Sequence, residues 1–165
     1  MPGFSPIVVR QPRSHDIVDD PVAVCGVGTG FEGTFAARVR DGNGVELVQI
    51  PVMAGGTGIW GNYHVTLALG GVPATAQGTL EVFEFSAADG SEINKVVVPI
   101  VFGRALIDPY HGFAQYTVVA GDTLSGIAQQ WYGDASQWPR LFEANRDQIS
   151  NPDLIFPGQV LRVPQ

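Results

Sequence analysis

The last fifty residues constrain the fold most, because two helical patterns lie there between two short extended segments. The first extended segment, Tyr116–Val119, stops at Gly121. Apolar residues then recur at helical spacing and predict a first helix with one inward apolar face: Leu124, Ile127, Ala128 and Trp131. The closing segment, Val160–Val163, follows a turn at Pro157–Gly158 and reads as a strand.

The ends of both helices are marked by residues suited to caps. Asp122 or Thr123 can cap the first helix, because a short oxygen-bearing side chain accepts from backbone N–H groups that the first turn leaves unpaired. Gly133 tolerates the left-handed conformation that ends such a helix. Asp134 or Ser136 can open the second helix. The second helix carries an early proline and further inward apolar residues: Pro139, Leu141, Phe142 and Ala144.

Three blocks of this segment resemble the LysM domain, a small bacterial module. They are YTVVAGDTLSGIA, FEAN and NPDLIFPGQVLRVP, which together run from residue 116 to 164. The resemblance implies a strand–helix–helix–strand (βααβ) domain at residues 115–165. It also implies binding to N-acetylglucosamine polymers, with peptidoglycan as the expected partner.

The first hundred residues carry a different pattern, typical of antiparallel strands. In Phe35–Arg40, apolar residues alternate with Ala36, Arg38 and Arg40, which predicts one face toward the core and one toward solvent. Glycine-containing turns such as DGNG at 41–44 separate such segments. About seven strands are predicted, and so many short strands without a helical pattern indicate a β-sandwich: Ile7–Val9, Val22–Cys25, Phe35–Arg40, Val45–Met53, Tyr63–Leu69, Leu80–Ser86 and Val96–Phe102.

Two blocks of this half, GFEGTFAARVRDGNG and GTLEVFEFSAADGSEINKVVVPI, resemble the Gmad-type immunoglobulin-like domain of bacterial spore-germination and cell-surface proteins. The resemblance implies an immunoglobulin-like sandwich without a catalytic site. The predicted fold class is therefore mainly β with a small α+β module. The sandwich is expected at residues 1–103, and residues 104–114 are expected to form a short linker docked on a domain, because the linker contains Leu106, Ile107, Tyr110 and Phe113.

Composition excludes several classes of function. The chain has 165 residues and a formal net charge of −7, which argues against nucleic acid and anionic membranes as partners. No run is long enough to span a membrane. The start, MPGFSPIVVR, lacks a signal-peptide pattern. We therefore expect a cytoplasmic or particle-associated protein, or an envelope protein trimmed at a signal or anchor.

Other candidate sites have structural interpretations. The single cysteine, Cys25, lies among apolar residues and is expected to be a buried, inert thiol. The glycines of GVGTGFEG precede a strand, so they predict a turn and not a dinucleotide loop. A cluster of three acids, Asp16, Asp19 and Asp20, is expected to be a solvated turn more than a calcium site.

Catalytic and metal sites are not indicated. Three histidines lie far apart, at His15, His64 and His111. On a strand, Glu81 and Glu84 are predicted on opposite faces, so they cannot flank one glycosidic bond. The sequence predicts a non-enzyme without a metal or cofactor.

In LysM domains, two loops lie side by side and form a shallow sugar groove. Carried over to this sequence, the expected glycan-binding residues are Gly121, Asp122, Thr123, Leu124 and Ser125 in the first loop and Asn151, Asp153, Leu154, Ile155 and Phe156 in the second. Backbone groups of the loops can pair the sugar's amide, while an apolar side chain receives the acetyl methyl.

Two alternatives remain open. LysM-like domains also occur in phage-tail and contractile-injection particles, where they join proteins without sugar, and the absent signal peptide favours such a structural joint with protein partners. The loop NRDQISNPDLIFPG also resembles that of cytoplasmic LysM proteins that bind potassium, with backbone carbonyls and Asp153 as oxygen ligands.

Overall fold

A computed structural model describes residues 6–165, without the side chain of Phe31. Half of the N-terminal segment that lacks a signal-peptide pattern therefore lies outside the described residues. Eight strands form the N-terminal part: β1 Ile7–Gln11, β2 Asp16–Val18, β3 Val22–Gly28, β4 Thr34–Asp41, β5 Glu46–Met53, β6 Gly61–Leu67, β7 Gln77–Phe85 and β8 Glu92–Phe102.

These strands form two sheets, ordered β1-β3-β6 and β2-β8-β7-β4-β5. All pairs are antiparallel except β2 with β8, where Asp16 lies opposite Ile100. Apolar side chains from both sheets share one core, which includes Val24 and Leu67 from one sheet and Phe35 and Leu80 from the other. The predicted sandwich is confirmed, and β2 is a strand that the sequence did not predict.

Strand β4 departs from the predicted alternation. Its expected solvent face is covered, because Ala36 is 3% and Arg38 5% exposed. The Arg38 guanidinium donates to Glu81 from Nε at 2.7 Å and to Glu92 from Nη1 at 2.7 Å. It also lies 4.5 Å from the centre of the buried Phe83 ring. Burial is tolerated here because the charge is paired on two sides.

The C-terminal part has the predicted order of elements. It comprises β9 Phe113–Thr117, α2 Leu124–Tyr132, a 3-10 turn Ala135–Gln137, α3 Trp138–Ala144 and β10 Val160–Pro164. Strands β9 and β10 pair antiparallel, with Leu161 opposite Tyr116. The helices enclose a second apolar core on this two-stranded sheet, and its fully buried members include Ile127, Leu141 and Leu161.

The helix ends resolve the capping alternatives. Thr123 is the N-cap of α2, and its side chain accepts from the backbone N–H of Gly126 at 3.0 Å. Gly133 ends α2 in the left-handed conformation, with φ of 73°. Asp134 opens the 3-10 turn by accepting from the backbone N–H of Ser136 at 2.9 Å.

One residue of the predicted inward stripe of α2 is misplaced. Trp131 is 37% exposed and lies outside the core. The next residue, Tyr132, packs against the core and donates from its hydroxyl to the backbone oxygen of Pro164 at 3.0 Å. Tyr132, four residues after Ala128, therefore continues the inward stripe in place of Trp131, which is four residues after Ile127. At 3.6 residues per turn both positions lie close to the same face, so helical spacing does not decide between them.

The two parts of the chain contact each other. A short helix, α1 Gly103–Leu106, follows β8 directly. Leu106 packs with Val101 of the sandwich and Ala144 of α3, and these three side chains are 6%, 1% and 0% exposed. This apolar contact places α3 against the end of β8.

Two polar contacts flank this apolar junction. Gln77 donates from Nε2 to the backbone oxygen of Glu143 at 2.8 Å. Arg162 of β10 donates from Nη1 to the backbone oxygen of His15 at 2.6 Å and forms an ion pair with Asp147. Both contacts cross between the sandwich and the C-terminal part.

Candidate functional site

A groove of about 230 Å³ lies on the C-terminal part of the chain. Two loops form it, the one between β9 and α2 and the one between α3 and β10. Its lining residues are Asp122, Thr123, Leu124, Ser125, Trp138, Pro152, Asp153 and Ile155. Segments separated by about thirty residues in sequence therefore meet in one concave surface.

The first loop is held by internal hydrogen bonds. One carboxylate oxygen of Asp122, Oδ2, accepts from the Tyr116 hydroxyl and from the backbone N–H of Val119, both at 2.8 Å. The bond to Asp122 also raises the pKa of the Tyr116 hydroxyl. Thr123 caps α2, and its hydroxyl lies 3.1 Å from that of Ser125. These contacts hold the loop in place before any ligand arrives, which lowers the ordering cost of binding.

The second loop is held by an asparagine turn. The side-chain oxygen of Asn151 accepts from the backbone N–H of Asp153 at 3.0 Å, and its backbone oxygen accepts from Leu154 at 3.0 Å. Farther along, the backbone N–H of Gly158 donates to Val118 at 2.8 Å. Since Val118 precedes the first loop, this bond ties the two walls of the groove together.

The groove combines an apolar floor with a polar rim. Leu124 is 3% exposed and belongs to the module's core, while Ile155 is half-buried against that core. Trp138 is half-buried, with its ring centre 6.3 Å from that of Phe142. The rim carries the hydroxyl and carboxyl groups of Ser125 and Asp153, which are exposed. Such a surface can receive a methyl group while it pairs neighbouring hydroxyl and amide groups.

The structure places six of the ten predicted glycan-binding residues in the lining, and four outside it. Those in the lining are Asp122, Thr123, Leu124, Ser125, Asp153 and Ile155. The other four, Gly121, Asn151, Leu154 and Phe156, are exposed neighbours in the same two loops. Leu154 and Phe156 are 56% and 64% exposed, so they extend an apolar rim beside the groove.

Sequence reasoning missed Trp138 and Pro152 as lining residues. Trp138 is the first residue of α3, where a side chain can face the preceding turn and the neighbouring helix. The available signal was its position directly before Pro139 at the helix start. Pro152 lies within the asparagine turn itself, so the predicted loop already contained it.

The other sequence candidates fall elsewhere. Asp16 begins β2, and the Asp20 carboxylate accepts from the backbone N–H of Leu69 at 2.9 Å and pairs with Arg104 at 3.2 Å. The expected solvated turn is therefore wrong for Asp20, whose carboxylate is paired within the sandwich, whereas the Asp16 carboxylate accepts from the backbone N–H of Arg13 at 2.8 Å in an exposed turn. Cys25 is half-buried and not fully buried as predicted, because it lies on the face of β3 opposite to the buried Val22 and Val24.

The glycine-rich segment and the carboxylate pair are structural. Gly26 and Gly28 lie within β3, contrary to the predicted turn, and a 3-10 turn at Phe31–Gly33 then leads directly into β4, so the turn is confirmed for the second half of the segment. Glu81 binds Arg38, whereas Glu84 is 6% exposed and accepts from Asn94 at 3.2 Å.

Metal-binding clusters and membrane-spanning helices are the remaining candidate features. Within residues 6–165, histidine, cysteine, aspartate and glutamate side chains nowhere gather in threes in a way that could hold a metal ion. In the described part of the chain, each helix is too short or too polar to cross a bilayer.

A second cavity, of about 470 Å³, lies where the sandwich meets the C-terminal part. Its walls come from β1 to β3 on one side and from Phe113 and Arg162 on the other. The Nε of Arg162 is buried without a hydrogen-bond partner, while its other two nitrogens bind His15 and Asp147. Since it binds His15 of the sandwich and Asp147 of the C-terminal part, the arginine links the two parts of the chain.

Comparison with known proteins identifies both halves. The model of the immunoglobulin-like domain of bacterial spore germination, Gmad2, matches residues 6–91, and the LysM model matches residues 116–164. The potassium binding protein Kbp of Escherichia coli O6:H1 is 54% identical over 50 residues, which are 30% of this chain and 34% of that protein.

Two further relatives match over similar lengths. An uncharacterized protein of Deinococcus radiodurans is 51% identical over 53 residues, 32% of this chain and 20% of the relative. Esterase MT1326 of Mycobacterium tuberculosis is 51% identical over 59 residues, 36% of this chain and 12% of the esterase. This chain thus spans about a third or less of the curated relatives it matches. With more than half of its residues matched by the Gmad2 model, the chain belongs to the family of immunoglobulin-like domains of bacterial spore germination, and it carries a LysM domain after that domain.

Proposed function

We propose that this chain is a non-catalytic protein that binds N-acetylglucosamine-containing glycan, with peptidoglycan as the main ligand, through the LysM groove. A LysM domain implies binding to such glycans, and both domains of this chain are of a binding type. The single observation that carries the proposal is the groove itself. Two loops distant in sequence meet around an apolar floor and are hydrogen-bonded into position before binding.

The chemistry of the groove suits an N-acetyl sugar. An N-acetyl group offers one amide donor, one amide acceptor and a methyl group. Leu124 and Ile155 supply apolar surface for the methyl, and backbone groups of the two loops are available for the amide. Ser125 and Asp153 can pair the sugar hydroxyls at the rim. Trp138 adds an aromatic surface of the kind that is enriched in binding sites.

The carboxylates of the groove are poorly suited to glycoside hydrolysis. A hydrolase needs one carboxyl group raised in pKa to act as an acid and a second that acts as base or nucleophile. One of the two lining carboxylates, Asp122, already accepts from Tyr116 and Val119 and holds the loop. Its role is therefore structural, which supports a binding function without catalysis.

The domain boundaries and the role of the sandwich are also proposals. We assign residues 1–103 to the sandwich, 104–112 to a linker and 113–165 to the LysM module, whose start moves from the predicted residue 115 to Phe113 because β9 begins there. The junction around Leu106 supports a model in which the sandwich fixes the direction in which the groove faces. One shallow site binds weakly, so affinity is expected to rise with chain length and with multivalent display.

Titration calorimetry with N-acetylglucosamine oligomers of four to six units, together with retention on insoluble peptidoglycan, tests the proposal. Ile155→Arg places a charged head in the groove floor and is expected to abolish binding. Val97→Arg is the matched control, because Val97 is 50% exposed on strand β8 of the sandwich. Circular dichroism checks that both variants fold. A folded Ile155→Arg that binds like the wild type would refute the assigned groove, and a wild type without heat or retention would leave the structural-joint alternative as the better account.

A second candidate function is potassium binding, which the 54% identity to the potassium binding protein Kbp favours. The loop between α3 and β10 contains backbone carbonyls and Asp153, and hard cations prefer oxygen ligands. Calorimetry with KCl against a NaCl blank separates this function from glycan binding. Saturable heat with potassium alone supports it, while identical traces for the two salts contradict it.

A further inference from the structure

The lining of the groove carries negative charge without a compensating positive charge. Asp122 and Asp153 are its two ionisable side chains, and its other members are hydroxyl, apolar or aromatic residues. A ligand in this groove therefore meets two carboxylates and neither lysine, arginine nor histidine among the lining residues.

The nearest candidates for compensation are engaged elsewhere. The LysM module contains three arginines and neither lysine nor histidine. Arg140 lies 5.6 Å from the centre of the Tyr132 ring, and Arg146 pairs with Glu143 at 3.0 Å. Arg162 pairs with Asp147 and binds His15 at the junction. Each arginine has a partner away from the groove, so neither of the two lining carboxylates is paired with a cation.

The two carboxylates differ in what they are free to do. Asp122 is committed to Tyr116 and Val119 within the loop. Asp153 is exposed. Within residues 6–165 it donates from its backbone N–H to the side-chain oxygen of Asn151, and its carboxylate forms no hydrogen bond. The Asp153 carboxylate is thus the charged group that an incoming ligand meets first.

We propose that the groove selects its glycan by charge, with Asp153 as the specificity-determining residue. The inference rests on the proposed glycan-binding function. The groove accepts uncharged chains of N-acetylglucosamine and disfavours units that carry a carboxylate, such as N-acetylmuramic acid with a free lactyl group. Sugar segments whose carboxyl groups are absent or masked are therefore the class of ligand that it binds.

The size of the effect follows from Coulomb's law. Two like charges about 4 Å apart in water repel by about 1 kcal/mol, and 1.4 kcal/mol is a factor of ten, so one carboxylate accounts for about a fivefold difference in affinity. Salt screens this repulsion, because the Debye length falls from about 30 Å at 0.01 M to about 3 Å at 1 M. The discrimination is therefore largest at low ionic strength.

The test compares three ligands by calorimetry at low salt and at about 1 M NaCl. They are the tetramer of N-acetylglucosamine, an alternating N-acetylglucosamine–N-acetylmuramic acid tetrasaccharide, and the same tetrasaccharide with its carboxyl groups amidated. The amidated form keeps the bulk of the lactyl group and removes its charge. The readout is the ratio of affinities for the amidated and the free-acid forms, so effects common to both ligands cancel.

For the wild type at low salt we expect the amidated form to bind about fivefold tighter than the free acid, with the gap closing at high salt. Asp153→Asn is expected to lower the ratio toward one, with a small remainder from the Asp122 carboxylate, which stays in the lining. Asp89→Asn, which removes the same charge from the β7–β8 hairpin of the sandwich, is expected to keep the wild-type ratio. Equal binding of both forms by the wild type, or an unchanged ratio in Asp153→Asn, overturns the charge selection. A wild type that binds none of the three ligands overturns the proposed function together with the inference.

Discussion

The core of the LysM module gives a prediction whose magnitude follows from burial. Leu141 is fully buried between the helices and the two-stranded sheet. Replacing it by alanine removes three carbon groups, worth about 2.4 kcal/mol at about 0.8 kcal/mol each, before any cavity is counted. With the cavity, we expect a loss of about 2–5 kcal/mol in the free energy of unfolding. If the whole chain unfolds as one unit, this lowers the Tm by about 5–20 °C.

Thermal and urea unfolding, followed by far-UV circular dichroism, measure this loss. Leu154→Ala is the control, because it makes the same chemical change in the same module at a side chain that is 56% exposed. We expect it to cost less than about 1 kcal/mol. Equal Tm values for Leu141→Ala and the wild type would show that the assigned buried face of α3 is wrong.

Three further predictions concern the junction, the helix cap and acid stability. Leu106→Ala is expected to uncouple the domains, so that scanning calorimetry resolves two transitions; one unchanged transition would contradict a coupled junction. Thr123→Ala removes the hydroxyl oxygen that accepts from the backbone N–H of Gly126 and is expected to cost about 0.5–2 kcal/mol in urea unfolding, whereas Thr123→Ser should retain most of this stability. The bond to Arg38, with Lys95, lowers the Glu92 pKa from 4.5 to about 2, so its stabilisation is complete above pH 4.5 and is lost as pH falls toward 2. Glu92→Gln should therefore differ from the wild type at neutral pH and converge with it near pH 2; a constant difference would refute this.

Much of the fold could be predicted because its signals are local. The alternation in β6, where Tyr63 and Leu67 are buried and His64 and Thr66 are exposed, and the helical spacing of α2 are set by which residues must leave water. What the sequence could not show depends on distant partners. Arg38 is buried because Glu81 and Glu92 arrive from strands β7 and β8, more than forty residues away. Strand β2 has three residues and exists through its parallel pairing with the end of β8.

The candidate site was predictable in part for the same reason. The loops around Asp122 and Asp153 carry capping and turn residues that mark them in the sequence, and the resemblance to LysM domains joined them. The contribution of Trp138 depends on how α3 packs against the loops, which spacing within one helix does not encode. Trp131 is exposed and Tyr132 packs against the core, although the two occupy neighbouring helical positions. Packing of the core, and not helical spacing, determines which of the two is buried.

The most direct test of the central claim is an NMR titration of the ¹⁵N-labelled chain with the N-acetylglucosamine pentamer. We expect amide shifts to concentrate in residues 121–125 and 153–156 and at the Trp138 indole N–H, while the amides of the sandwich stay unchanged. Shifts confined to the sandwich, or a spectrum that does not respond to the sugar, would contradict a glycan-binding groove between the two loops.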